Sequence, residues 1–258
     1  MKLVIKSTKE QMGLQAAIHA TTLINAAIEQ RGTARILLST GASQFPFFKE
    51  FVKMNIDWKK VEMFHLDEYV GIHENHPASF KRYLLDRFVN IVNPGAAHLI
   101  DGTRNPLDTI AELTALLKTA PIDVGLIGIG ENAHIAFNDP PADFHDTASY
   151  RVVTLAARCL QQQVGEGWFA SVEEAYKQAI SMTCSQIMKC RSIISVVPYP
   201  VKAEAVYKTI VSALDPEVPA TLLKQHADFT LYCDADSAEY ILTDKNLTPV
   251  IEKLLLKD

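Results

Sequence analysis

Residues 121–140 read PIDVGLIGIGENAHIAFNDP, and the reading of this segment decides the fold. From Ile122 to Ile129 nearly every residue is apolar, and the run closes on glycine. A parallel strand buried on both faces has that composition, and a run so short does not make a well-formed helix. Glu131, Asn132, His134, Asn138 and Asp139 follow at once. In open α/β sheets ligands bind beyond the carboxyl ends of the strands. One polar residue there could be a solvated loop position; the whole set beside a glycine-rich strand exit reads as a site.

Working outward, strand and helix alternate. Residues 3–5 read as a short strand. Apolar residues at helical spacing over 7–29 (Met12, Leu14, Ala16, Ala17, Leu23, Ile24, Ala27) give a first helix that stops before a C-capping Gly32. Further strands are expected at 35–38, 61–66, 192–197 and 229–233, with helices at 45–54, 77–88, 107–118 and 201–211. Repeated β-α units with few hairpin signals predict a three-layer α/β/α sandwich around a mainly parallel, Rossmann-like sheet. At 258 residues and 48% hydrophobic, with no linker, repeat or low-complexity tract, the chain is read as a single domain spanning 1–258.

Charge and cysteine usage narrow the function. Lys+Arg number 25 against 30 Asp+Glu, a net charge of −5 without a basic run, which argues against nucleic-acid and anionic-membrane partners. Cys159, Cys184, Cys190 and Cys233 form no CxxC pair and no close Cys/His cluster, so no metal site is expected from spacing. They read as reduced, mostly buried thiols of a cytoplasmic protein. The N-terminal MKLVIKSTKEQ has too short an apolar patch for a secretory leader, and no run is long enough to span a membrane.

Three strand exits fall on the same sheet edge. Ser39-Thr40-Gly41-Ala42-Ser43 is a small, hydroxyl-bearing turn that opens a helix, suited to a phosphate through backbone N–H groups and the Thr40 and Ser43 hydroxyls. An ordinary N-cap turn reads the same way, so its company carries the assignment. His65-Leu66-Asp67-Glu68-Tyr69 puts two carboxylates at a strand end. Asp67 continues the strand and is the expected proton acceptor, whereas Glu68 is expected to bond backbone. At the third exit His134 is the natural proton carrier, with Asp139 or Glu131 to orient it. His65 reads as core, His19 as a first-helix residue, and the remaining histidines as structural.

In their order and spacing, LSTGAS (38–43), FHLDEYVG (64–71) with HPASF (76–80), and GIGENAHIAFNDP (128–140) are similar to the glucosamine-6-phosphate deaminase (isomerase) family. The likeness runs on through RVVTLAAR, AISMT and VPYPVKAEAV, so it covers most of the chain. The resemblance implies an enzyme that converts glucosamine 6-phosphate, or a close epimer, and water to fructose 6-phosphate and ammonia without metal or organic cofactor. It implies that Thr40, Gly41, Ala42, Ser43 and Lys202 hold the sugar phosphate. It also implies that His134, held by Asp139, opens the ring and that Asp67 carries a proton from C2 to C1. The same resemblance leaves room for a homo-oligomer. The chain departs from the family pattern in four places: Asn132-Ala133 replaces Asp-Gly, Asp139 replaces Glu, Ala42-Ser43 replaces Gly-Thr, and Gln163 stands where an arginine usually binds phosphate, with Arg158 nearby. Asn132 is expected to hold the imidazole by a hydrogen bond.

Two other readings share this architecture. Lactonases of the superfamily carry Asp-Glu-Arg and a Gly-His-Thr-Ala-Ser type loop, unlike Asp67-Glu68-Tyr69 and Ala136-Phe137-Asn138 here. A non-catalytic sugar-phosphate sensor would have no use for Asp67 and His134. The segment 161–171, QQQVGEGWFAS, reads either as a lid hinged at Gly165 and Gly167 with Trp168 and Phe169 covering the site, or as a packed surface loop.

Overall fold

A computed structural model of the chain describes residues 1–165 and 167–255. Its strands are β1 (Lys2–Lys6), β2 (Ala34–Leu38), β3 (Val61–His65), β4 (Asp67–Tyr69), β5 (Ala96–His98), β6 (Val124–Leu126), β7 (Tyr150–Thr154), β8 (Gln178–Met182), β9 (Ser192–Val197) and β10 (Phe229–Asp234). Among the described residues, seven form one sheet in the order β1-β10-β9-β6-β2-β3-β5, with every pairing parallel. The expected mainly parallel sheet is therefore present. Its two faces separate by alternation along each strand. Leu37 and Ile193 join one apolar cluster, while Ile36, Leu38 and Ile194 join the other. Helix Lys9–Arg31 and helix Phe45–Phe51 cover the second face through Met12, Ile24, Phe47 and Phe51. Helix Pro106–Leu117 and helix Ala203–Val211 cover the first through Leu113, Leu117, Val206 and Ile210.

Local chemistry explains the helix limits. The Thr8 hydroxyl accepts the Gln11 N–H at one end of the first helix, and Gly32 takes φ +81° at the other, where a side chain would be strained. Gly13 lies within that helix because a Cβ there would come 2.5 Å from the Pro46 carbonyl oxygen. Three expected helices are altered. Residues 45–54 stay helical only to Phe51; 77–88 starts at Phe80 under a Ser79 cap and passes into a π segment at Leu85–Val89; 201–211 opens as a 3-10 turn, Pro200–Lys202. Among the described residues, no helix is long and apolar enough to cross a membrane.

Two strand expectations need correction. The run 122–129 pairs as a strand only over Val124–Leu126, although Ile127 N–H still bonds the Ile194 carbonyl at 3.0 Å. Asp67 does not continue β3. It begins β4 of a separate antiparallel sheet, β4-β8-β7. Leu66 is the pivot: its N–H bonds the Leu38 carbonyl in the parallel sheet, and its carbonyl accepts the Met182 N–H from the small one. Those short strands mix polar and apolar residues, so their sequence carries little strand signal. Under this second sheet lies a third cluster containing Tyr69, Phe80, Phe137, Leu155, Cys159 and Phe169.

Candidate active site

Because β2, β3, β6 and β9 run parallel, their exits share one edge, and one cavity opens there. Ser39 to Ser43, Asp67, Gly128, Gly130, His134, Gln163 and Lys202 all line it. The 39–43 turn is held from both sides. The Ser39 hydroxyl accepts the Gly128 N–H at 3.0 Å, the Tyr83 hydroxyl donates to the Gly41 carbonyl at 3.0 Å, and Gln44 Nε2 donates to the Val196 carbonyl at 3.0 Å. Gly41 has φ +100°, a conformation glycine adopts without strain. Lys202 is buried and enters from the 3-10 turn after Tyr199. Tyr199 itself sits at φ +83°, rare for a bulky residue, with its N–H bonded to the Asp234 carboxylate at 3.1 Å and its ring 5.0 Å from Lys9 Nζ. Strain retained in this way tends to mark functional sites.

The adjacent carboxylates have different surroundings. Glu68 is fully buried and accepts four hydrogen bonds: from Tyr69 N–H (3.0 Å), Phe80 N–H (3.1 Å), the Ser79 hydroxyl (2.8 Å) and Lys81 N–H (2.7 Å). Burial raises its pKa and these donors oppose the rise, so Glu68 fastens the loop after β4, as expected of it. Asp67 faces the cavity. Burial first, and then the Glu68 charge, push its carboxyl up to about 8. That is the range in which a carboxylate serves as a proton acceptor near neutral pH.

His134 Nδ1 lies 3.3 Å from Asp139 Oδ1. Burial alone would raise the Asp139 pKa. The imidazole beside it, the Asn132 amide at 3.1 Å and the Ala156 N–H at 3.2 Å outweigh that and hold it lowered, so the carboxylate stays ionised. Asn132 does not reach the imidazole as expected. Its Oδ1 accepts the His134 backbone N–H at 3.2 Å and its Nδ2 donates to Asp139, because the turn directs the side chain back along the loop. That turn places Ala133 at φ +64°, a conformation that glycine adopts more readily than alanine. Glu131 does not line this cavity but a neighbouring groove, with Arg158, Tyr199 and Lys202.

His65 is fully buried, and burial, with a smaller effect of Lys81, drops its pKa to about 3, so it is a neutral core histidine. All four cysteines are buried and none is in a disulfide. Gln163, which lines the cavity, accepts the Tyr69 hydroxyl hydrogen bond at 2.7 Å; its position in the sequence alone did not suggest this partner. In segment 161–171, helix Ala157–Gly165 occupies the first part and Glu166 lies outside the described residues. Phe169 packs T-shaped on Tyr69 at 5.5 Å, in the third apolar cluster and not among the cavity residues.

A family model described as glucosamine-6-phosphate isomerases/6-phosphogluconolactonase matches residues 7–232. A glucosamine-6-phosphate deaminase of Thermoanaerobacter pseudethanolicus is 30% identical over 258 residues, covering 97% of this chain and 98% of the relative. One of Clostridium acetobutylicum is 30% identical over 250 residues, covering 93% and 100%. The solved structure of a monomeric glucosamine-6-phosphate deaminase superposes with a TM-score of 0.84 at 26% identity, over 93% of this chain and 99% of that one. A 6-phosphogluconolactonase structure from Shewanella baltica has a TM-score of 0.73 at 18% identity, over 91% and 98%, and shares the fold. The chain belongs to the glucosamine-6-phosphate isomerase/6-phosphogluconolactonase family.

Proposed function

We propose that this family member is an amino-sugar-phosphate deaminase that converts glucosamine 6-phosphate and water to fructose 6-phosphate and ammonia. The observation that carries the reading is one cavity lined by a raised-pKa carboxylate, Asp67, a histidine paired with a carboxylate, His134, and a hydroxyl-rich turn with a buried lysine. Relatives named for that activity, at 30% identity across nearly their whole length, support it.

The phosphate binds the Thr40–Ser43 turn and Lys202, which supplies the opposing charge. His134 moves a proton to the ring oxygen as the C1–O bond breaks, and Asp139 stabilises the charged imidazole. Asp67 removes the C2 proton and returns it to C1. The C2 amine thereby becomes an iminium ion; water adds there and ammonia leaves, which produces the ketose. An ester hydrolase would use the same phosphate pocket, but Asp67-Glu68-Tyr69 in β4 and Ala136-Phe137-Asn138 favour the deaminase.

The test is ammonia release from glucosamine 6-phosphate, with galactosamine 6-phosphate and 6-phosphogluconolactone assayed beside it. Ammonia matched mole for mole by fructose 6-phosphate is the expected result. Hydrolysis of the lactone with no ammonia from either amino sugar would overturn the reading.

Two consequences are measurable. A Cβ on Gly130 would lie 2.3 Å from His134 Nε2, so Gly130→Ala displaces the imidazole. A misplacement of roughly 1 Å costs on the order of 100-fold in turnover, and the thermal melt should stay near wild type; full activity in a folded variant would remove His134 from the mechanism. Helix Ala157–Gly165 carries Gln163 to the cavity, so backbone amides of 161–171 should gain hydrogen-exchange protection with saturating sugar phosphate. Unchanged exchange would mean that the segment does not close on substrate.

A further inference from the structure

The spacing of the cysteines gives no hint of a metal site, but folding creates a ligand set. His134, Asp139 and Cys159 bring a ring nitrogen, a carboxylate oxygen and a thiol sulfur within 4.8 Å of one another. They come from the loop after β6 and from helix Ala157–Gly165, 25 residues apart at the extremes, so no sequence motif records the trio. We infer that His134, Asp139 and Cys159 form an inhibitory site for a thiophilic divalent cation of the zinc class.

Geometry and donor chemistry support this. In a tetrahedral zinc site with metal–N and metal–O bonds of about 2.0–2.1 Å, ligand nitrogen and oxygen lie about 3.3 Å apart. His134 Nδ1 and Asp139 Oδ1 already stand at 3.3 Å. With a metal–sulfur bond of about 2.3 Å, sulfur lies about 3.6 Å from either, so at most about 1.2 Å of adjustment closes the set. His134 Nδ1 is buried, and its contact with Asp139 is not directed as a hydrogen bond. The Asn132 amide donates to that same Asp139 Oδ1 and the Ala156 N–H donates to Oδ2, hydrogen bonds of the kind that orient metal-binding carboxylates. One nitrogen, one oxygen and one sulfur suit Zn²⁺ or Co²⁺ and not Mg²⁺ or Ca²⁺, which require more oxygen ligands. Three protein ligands leave one position of a tetrahedral zinc shell for water. Binding replaces the Cys159 S–H bond with a sulfur–metal bond and releases that proton to solvent.

The consequence for turnover rests on the deaminase reading; the site itself does not. With the metal on Nδ1, His134 keeps its remaining proton fixed on Nε2 and can no longer cycle between acid and base. The cation therefore competes with ring opening without contacting the phosphate turn.

The test uses the reduced, metal-free protein titrated with Co²⁺. The expected result is one equivalent of tetrahedral cobalt with a thiolate-to-metal charge-transfer band, displaced by Zn²⁺ and absent from Cys159→Ala. In the deaminase assay Cys159→Ala should keep basal activity and require at least ten times more Zn²⁺ for half inhibition. X-ray absorption of the zinc-loaded wild type should show one sulfur among nitrogen and oxygen ligands, a readout that stands even where the variant folds poorly. No thiolate band, a band that survives Cys159→Ala, or a zinc shell with no sulfur or with two would each overturn the inference. Because the spectroscopic arms need no turnover, an inactive protein would refute the deaminase reading and leave the metal site separately decided.

Discussion

Asp67→Asn lowers ammonia release from glucosamine 6-phosphate by roughly 1,000-fold or more, the upper part of the range for losing a positioned acid–base group. The amide is the same size, so substrate binding and KM change little. Exchange of the C2 proton with solvent should vanish together with ammonia release. A variant that kept a tenth of wild-type activity would show that another group takes the proton. The pH profile is a second readout. Asp67 accepts a proton only when ionised, and burial and Glu68 push its pKa up to about 8. The wild-type rate should therefore rise about tenfold per pH unit up to about 8 and level off above it, while the residual rate of the variant lacks that limb. Stability moves the other way. The folded protein holds this proton from the ordinary value of 3.8 up to about 8, so Asp67 contributes stability that is lost as pH rises through that window. At pH 8 the asparagine variant should melt higher than wild type, by at least about 1 kcal/mol or 2–4 °C. Near pH 4 the two should converge.

Glu68→Ala should have the largest effect on stability. Its side chain accepts from Tyr69, Phe80 and Lys81 N–H groups and from the Ser79 hydroxyl, all inside the protein. Removing the acceptor leaves buried donors without partners, at about 1–3 kcal/mol each before relaxation and water entry. The expected net loss is about 3–5 kcal/mol, read as a fall in the urea midpoint with an unchanged slope. A loss below about 1 kcal/mol would mean that the loop after β4 finds other acceptors. Glu68→Gln separates charge from fastening. It keeps one acceptor oxygen, so it folds better than the alanine variant, and it removes the negative charge beside Asp67. The rising limb of the pH profile should then move to lower pH, since Glu68 is one of the two causes raising the Asp67 pKa.

The same pair shows where sequence reading succeeds and where it stops. That one carboxylate would face the site and the other would bond backbone followed from two acids at a strand end, because consecutive residues leaving a strand point in different directions. The donors to Glu68 did not follow, since Ser79 to Lys81 meet it only after the chain has turned back. Asn132 illustrates the converse. Its residue type suits an imidazole, yet the loop conformation that places Ala133 at φ +64° directs the amide to Asp139 instead.

The sequence by itself determined the alternation of strand and helix, the parallel sheet, and the exits that carry Thr40–Ser43, Asp67, His134 and Lys202. Those features depend on local apolar periodicity, on glycine at turns and on caps such as Gly32, each readable within a few residues. Tertiary structure alone decided the others. Leu66 shares its N–H and carbonyl between two sheets, Gln163 accepts the Tyr69 hydroxyl, and Cys159 comes beside His134 and Asp139. These depend on distances between segments remote along the chain, and such distances exist only once the sheet twists and its faces pack.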